Sequence, residues 1–123
     1  MRVQILVLIL STTACRAQRP EDGVISVYRQ MERAEQTGNG QAWIELWSPK
    51  STTGAHASET KDMIRPQPAI RYGVTKVLID GDRAALVGTM RDQYLSMRFA
   101  RENGAWKIHR YIFTASAPPP QAK

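Results

Sequence analysis

A chain of 123 residues has room for one domain and one core, and none for a second. It carries 17 basic against 11 acidic residues, a formal charge of +6, yet the cations are dispersed without a run, which argues against a nucleic-acid-binding stripe. A single cysteine excludes an internal disulfide.

Met1 and Arg2 precede Val3-Gln4-Ile5-Leu6-Val7-Leu8-Ile9-Leu10, a positive start followed by a short apolar run. That is the pattern of a secretory signal and too short to span a bilayer, so residues 1–14 are read as a leader outside the fold. Removing it leaves about +5 on the mature side chains. Ser11-Thr12-Thr13-Ala14 then lead to Cys15. This segment resembles the lipobox of bacterial lipoproteins, with Cys15 as the lipid-modified N-terminus; Thr12 departs from the aliphatic residue usual there. The alternative is cleavage after Ala17, which frees a soluble domain. Arg16 is not the aspartate that in Gram-negative lipoproteins marks inner-membrane retention, so the resemblance implies an anchor in the outer membrane, facing the periplasm. Export also removes nucleic acid from the expected partners.

Residues 15–20, polar and closing on Pro20, read as anchor and tether. Val24, Val27, Tyr28, Met31 and Ala34 recur at helical spacing and predict an amphipathic helix over 21–37, with Arg29, Glu32, Arg33 and Glu35 on its polar side. Gly38-Asn39-Gly40 stops it. Trp43, Leu46 and Trp47 predict a second, shorter helix ending before Ser48-Pro49. Residues 50–68 are rich in Ser, Thr, Ala and Pro, and only 58–64 suit a helical turn or two. Beyond Pro68 the composition turns β-branched and aromatic. Asp80-Gly81-Asp82, Asp92-Gln93 and Asn103-Gly104 then separate strands over 70–79, 84–91, 94–101 and 105–114. Residues 115–123, with three consecutive prolines, read as a disordered tail.

The predicted class is therefore α+β, N-terminal helices packed on a four-stranded antiparallel sheet within 21–114. Leu95, Met97 and Phe99 give the third strand one apolar face. In the last strand, unbroken alternation places Trp106, Ile108, Arg110 and Ile112 on one face and His109, Tyr111 and Phe113 on the other. A sheet apolar on both faces needs a second cover, which predicts a homodimer through the sheet.

Helices carrying Tyr28 and Trp43, the turn Ile79-Asp80-Gly81-Asp82-Arg83-Ala84 and the hairpin running from Phe99 through Asn103-Gly104-Ala105-Trp106 to Ile108 resemble the nuclear transport factor 2-like, or cystatin-like, superfamily. The resemblance spans roughly residues 20–114. It implies a cone of helices against a strongly bent sheet, often enclosing a pocket and often dimeric. The superfamily includes isomerases, dehydratases, cyclases and small envelope lipoproteins.

An isomerase of that kind needs a carboxylate in an apolar cavity beside hydroxyl or acid donors. Asp92 and Tyr94 flank a turn and read as turn chemistry, and His109 has no identifiable partner. No catalytic residue is assigned. Arg110, placed on the inward face beside Trp106, is the candidate for an anionic ligand, unless it pairs with Glu32 or Glu45. Trp43, Trp47 and Trp106 are candidates for stacking on a ligand, or simply core. His56 and His109 lie too far apart to suggest a metal site, no phosphate-cradling or nucleophile motif occurs, and no cofactor is expected. The first expectation is a tethered domain that binds a small apolar or anionic ligand or a protein partner. The alternative is an isomerase- or dehydratase-type enzyme, and a protein-interaction subunit is the third possibility.

Overall fold

The computed structural model describes residues 19–50 and 57–115, so the leader, Cys15, His56 and the tail past Ala115 lie outside the described residues. The apolar stripe on Val24, Val27, Tyr28 and Met31 forms helix α1, Asp22–Thr37, close to its predicted bounds. Gly38 caps it by donating its backbone N–H to Ala34 O. Helix α2, Gly40–Ile44, is capped by the Asn39 side chain, which accepts from the Ala42 N–H at 3.0 Å. A four-residue helix α3, Ala57–Thr60, continues into a 3-10 turn, Lys61–Met63.

Four strands follow: β1 Gly73–Asp80, β2 Arg83–Met90, β3 Gln93–Glu102 and β4 Ala105–Thr114. They form one antiparallel meander in the order β1-β2-β3-β4. Asn103 and Gly104 join β3 to β4 with φ of 53° and 80°, the pair of left-handed conformations that matches the twist of a two-residue hairpin. Val24, Tyr28 and Met31 of α1 pack on Leu86, Leu95, Met97, Phe99 and Ile108, all at most 1% exposed. Each contributes about 1.5–3 kcal/mol through burial. Among the described residues the core cluster runs from Val24 to Phe113.

The second helix is shorter than predicted. After Ile44 the chain turns and lays Leu46–Ser48 along the edge of β4: Ile108 N–H donates to Leu46 O at 2.8 Å and Ser48 N–H to Ile108 O at 2.9 Å. An edge strand exposes unpaired backbone groups, and satisfying them displaces a further helical turn.

A second correction concerns the last strand. Arg98 pairs with Arg110 while Phe99 pairs with Ile108, so His109 is an extra residue, a β-bulge. Past it the alternation inverts. Tyr111 and Phe113 pack against the core, while Arg110 and Ile112 are exposed on the outer face. The last strand thus turns its aromatic residues to the core side. The outer face keeps exposed aliphatic side chains, Leu78 and Ile112. A second bulge at Thr75 lies between Val74 and Lys76. Among the described residues, no helix is long and apolar enough to cross a membrane.

Candidate functional site

Glu35 follows Tyr28 by seven positions and Met31 by four, which puts it on the apolar stripe of α1 and not on the polar side expected from its residue type. It is 8% exposed. A buried carboxylate requires donors. Trp43 of α2 supplies one, its Nε1–H reaching Glu35 Oε2 at 3.1 Å, and Tyr72 supplies the other, its hydroxyl donating to Oε1. Burial pushes the Glu35 carboxyl above the usual carboxylate range, against the opposing pull of the Tyr72 and Trp43 hydrogen bonds. Burial and the nearby carboxylate push the Tyr72 phenol up as well, and burial with the Glu35 charge pushes Tyr111 up to about 12.

Tyr72 arrives on the segment between the 3-10 turn and β1, which carries no regular structure of its own before Gly73. The polar side of α1 holds it. Glu32 accepts from the Tyr72 backbone N–H at 2.6 Å, Arg29 donates to Tyr72 O at 2.6 Å, and Gln36 donates to Ile70 O at 2.9 Å. The Gln67 N–H adds a bond to Glu35 O at 3.0 Å. Residues that periodicity assigned to solvent therefore clamp the segment that completes the site.

Beside Glu35 opens a cavity of about 300 Å3 with apolar walls from Ile64, Ile70, Met90, Tyr111 and Phe113. It is the size of a small-molecule site. The exposed Arg91 also lines it, from the β2–β3 turn, with φ of 57°, a left-handed backbone that non-glycine residues adopt at a cost. A larger groove of about 770 Å3 lies between α1, α2 and the start of β4, but it gathers no buried acid or phenol. The chemistry sits in the smaller cavity.

Of the residues proposed from sequence, Trp43 lines the site. Trp47 stands behind it, its ring centroid 5.3 Å from Trp43 and 5.5 Å edge-on from Tyr111, with its Nε1 buried and unpartnered among the described residues. Trp106 lies in the open groove, beneath the Arg101 guanidinium 4.6 Å from its ring. Arg110 is not brought to the pocket, because the His109 bulge turns it to the outer face, away from Glu32 and Glu45 as well. His109 Nε2 is 2.7 Å from Glu102 Oε2, which also accepts from Ser48 Oγ at 2.6 Å. These hydrogen bonds, Ser48 first, hold the Glu102 carboxyl below its usual range. Among the described residues no group of three metal-binding side chains occurs. Glu35, Tyr72, Tyr111 and Arg91 were not among the site residues proposed from sequence; only Glu35 left a signal, its spacing.

No protein-family model and no curated protein matches the sequence. Solved structures do resemble it. A nuclear transport factor 2-like protein of unknown function from Silicibacter pomeroyi is 14% identical, covering 75% of this chain and 92% of its own, with a TM-score of 0.60. A candidate dehydratase of the nuclear transport factor 2-like family from Streptomyces avermitilis is also 14% identical, covering 73% and 91%, with a TM-score of 0.58. A domain of unknown function with a cystatin-like fold from Nostoc punctiforme is 15% identical, covering 80% and 78%, with a TM-score of 0.58. At such identities the likeness concerns architecture, and by that measure the chain has the nuclear transport factor 2-like, cystatin-like fold.

Proposed function

We propose that this chain is a ligand-binding domain, tethered in the cell envelope through Cys15, whose pocket takes a small, mainly apolar molecule bearing a hydrogen-bond donor. The observation that carries this reading is Glu35. Its oxygens are already oriented by Tyr72 and Trp43, yet a carboxylate has about four acceptor positions, so it retains capacity for a donor on the ligand. The apolar walls supply affinity and Arg91 favours an anionic group at the other end of the molecule. Native mass spectra of gently purified protein test it, together with quenching of Trp43 emission by added amphiphiles. A retained small molecule lost in Glu35→Ala supports the reading; an empty pocket and no quenching by either apolar or anionic probes refutes it. Mass measurement of the mature N-terminus tests the tether, since a diacylated Cys15 and a chain beginning at Gln18 differ by hundreds of daltons (about 0.8 kcal/mol of membrane affinity per buried CH2 depends on the difference).

A second reading rests on the same two side chains. A carboxyl raised by burial beside a phenol in an apolar cavity suits proton abstraction and enolate stabilisation, the chemistry of an isomerase or dehydratase. The candidate dehydratase of this fold adds analogy. Glu35→Gln separates the readings, because it abolishes turnover by an enzyme and leaves a binding protein able to retain its ligand.

A further inference from the structure

The outer face of the sheet has a charge pattern that the core does not explain. Arg98 of β3 stands directly opposite Arg110 of β4, and the same row continues through Ala85 to Leu78. The next row reads Lys76, Val87, Ser96, Ile112. Neither row contains an acid, and Lys76, Arg98 and Arg110 form no ion pair among the described residues. Like charges directly opposite on one sheet face repel. A phosphate relieves that repulsion, since guanidinium groups bind its oxygens bidentately. Beside these cations stand exposed aliphatic side chains, Ile112 at 41% and Leu78 at 36%.

We propose that this outer face docks on an anionic phospholipid surface. Arg98, Arg110 and Lys76 meet headgroup phosphates while Ile112 and Leu78 enter the boundary with the acyl chains. Free phosphate or nucleic acid would leave the aliphatic side chains in water. A second copy packed face to face would set the cations of this row against those of its partner. The proposal concerns the surface opposite the pocket and stands whether or not the pocket binds a ligand.

The test uses residues 16–123, which contain every residue of the described core cluster and omit Cys15. Their binding to vesicles is measured by sedimentation, with phosphatidylglycerol included or with phosphatidylcholine alone. Binding is expected only to the anionic vesicles and is lost at high salt, where the screening length falls to about 3 Å. Each cation near such a surface contributes about fivefold in affinity, so Arg98→Gln/Arg110→Gln weakens binding roughly 30-fold. Arg33→Gln/Lys50→Gln, the same charge removed elsewhere, retains most of it. Equal binding to neutral vesicles, or an arginine variant that is folded by circular dichroism and binds like the parent, overturns the proposal. So does a dimer in native mass spectra that Ile112→Asp dissociates, because that dimer would bury the face.

Discussion

Replacing Glu35 by alanine or glutamine separates what its hydrogen bonds contribute from what its charge costs. In Glu35→Ala the Tyr72 hydroxyl and the Trp43 Nε1–H lose their acceptor inside the core. Each orphaned buried donor costs about 1–3 kcal/mol, so the variant should lose about 2–6 kcal/mol and unfold roughly 10 °C or more below the parent. Glutamine behaves differently. Its amide oxygen accepts from Trp43 and its NH2 donates to the Tyr72 oxygen, so Trp43 keeps its acceptor and only the Tyr72 O–H proton loses one, with no buried charge. Because burial raises the Glu35 carboxyl in the folded state above its ordinary 4.5, its contribution to stability is fully present below that value and is lost as pH rises through the folded value. Stability of the parent relative to Glu35→Gln should therefore fall with rising pH in that window, with a slope of at most about 1.4 kcal/mol per pH unit, and level off above it. Urea unfolding from pH 4 to 8, followed by tryptophan emission, measures this difference while cancelling the titrations common to both proteins. A flat difference would show that Tyr72 and Trp43 stabilise the carboxylate as much as burial opposes it, and a parent that gains on the variant as pH rises would show that they outweigh burial.

Other positions give equally direct expectations. A methyl at Gly88 would overlap the Tyr28 hydroxyl and come within 2.6 Å of Gly73 O, so Gly88→Ala should cost about 1–3 kcal/mol in thermal unfolding. Tyr28→Phe removes the 2.8 Å bond to Gly73 O, at about 1–2 kcal/mol, and the double variant should cost less than the two single costs together because the hydroxyl is part of the clash. Arg91→Gly relieves a φ of 57° and should stabilise the fold by about 0.5–1 kcal/mol, while lowering affinity for anionic amphiphiles in the quenching assay. Deleting His109 should leave Arg110 and Ile112 outward and Tyr111 and Phe113 inward, since a regular ladder then pairs Phe99 with Ile108 and Arg98 with Arg110, and should cost only about 1–2 kcal/mol in urea unfolding through the lost bond to Glu102.

Most of the fold was legible because its signals are local. The stripe from Val24 to Ala34 needs only helical geometry, and Asn103-Gly104 needs only the turn it occupies. The register at the last strand was not legible. A bulge depends on what the neighbouring strand opposes, and nothing within residues 105–114 marks His109 as the residue left over. Leu46–Ser48 failed for a related reason: helical spacing of Trp43 and Trp47 was real, but the open edge of β4 offered the backbone partners that the sequence could not display. Half of the site was hidden in the same way. Glu35 lay on the apolar stripe by position and was assigned to solvent by type, while Tyr72 enters only because Arg29, Glu32 and Gln36 grip a segment without periodicity.

One inserted residue links the two faces of this domain. Were His109 a regular ladder residue and not a bulge, β4 would continue its pattern and send Tyr111 and Phe113 outward, removing two walls of the cavity beside Glu35. The same inversion takes Arg110 from the core side and sets it across from Arg98, and takes Ile112 with it to the exposed face. Pocket lining and basic outer surface are therefore coupled outcomes of a single register shift, and selection on either would preserve both. The His109 side chain bonds to Glu102, which also holds Ser48. The bulge is thereby tied to the strap along the edge of β4, and the residue that shifts the register also helps to fix the edge beside it.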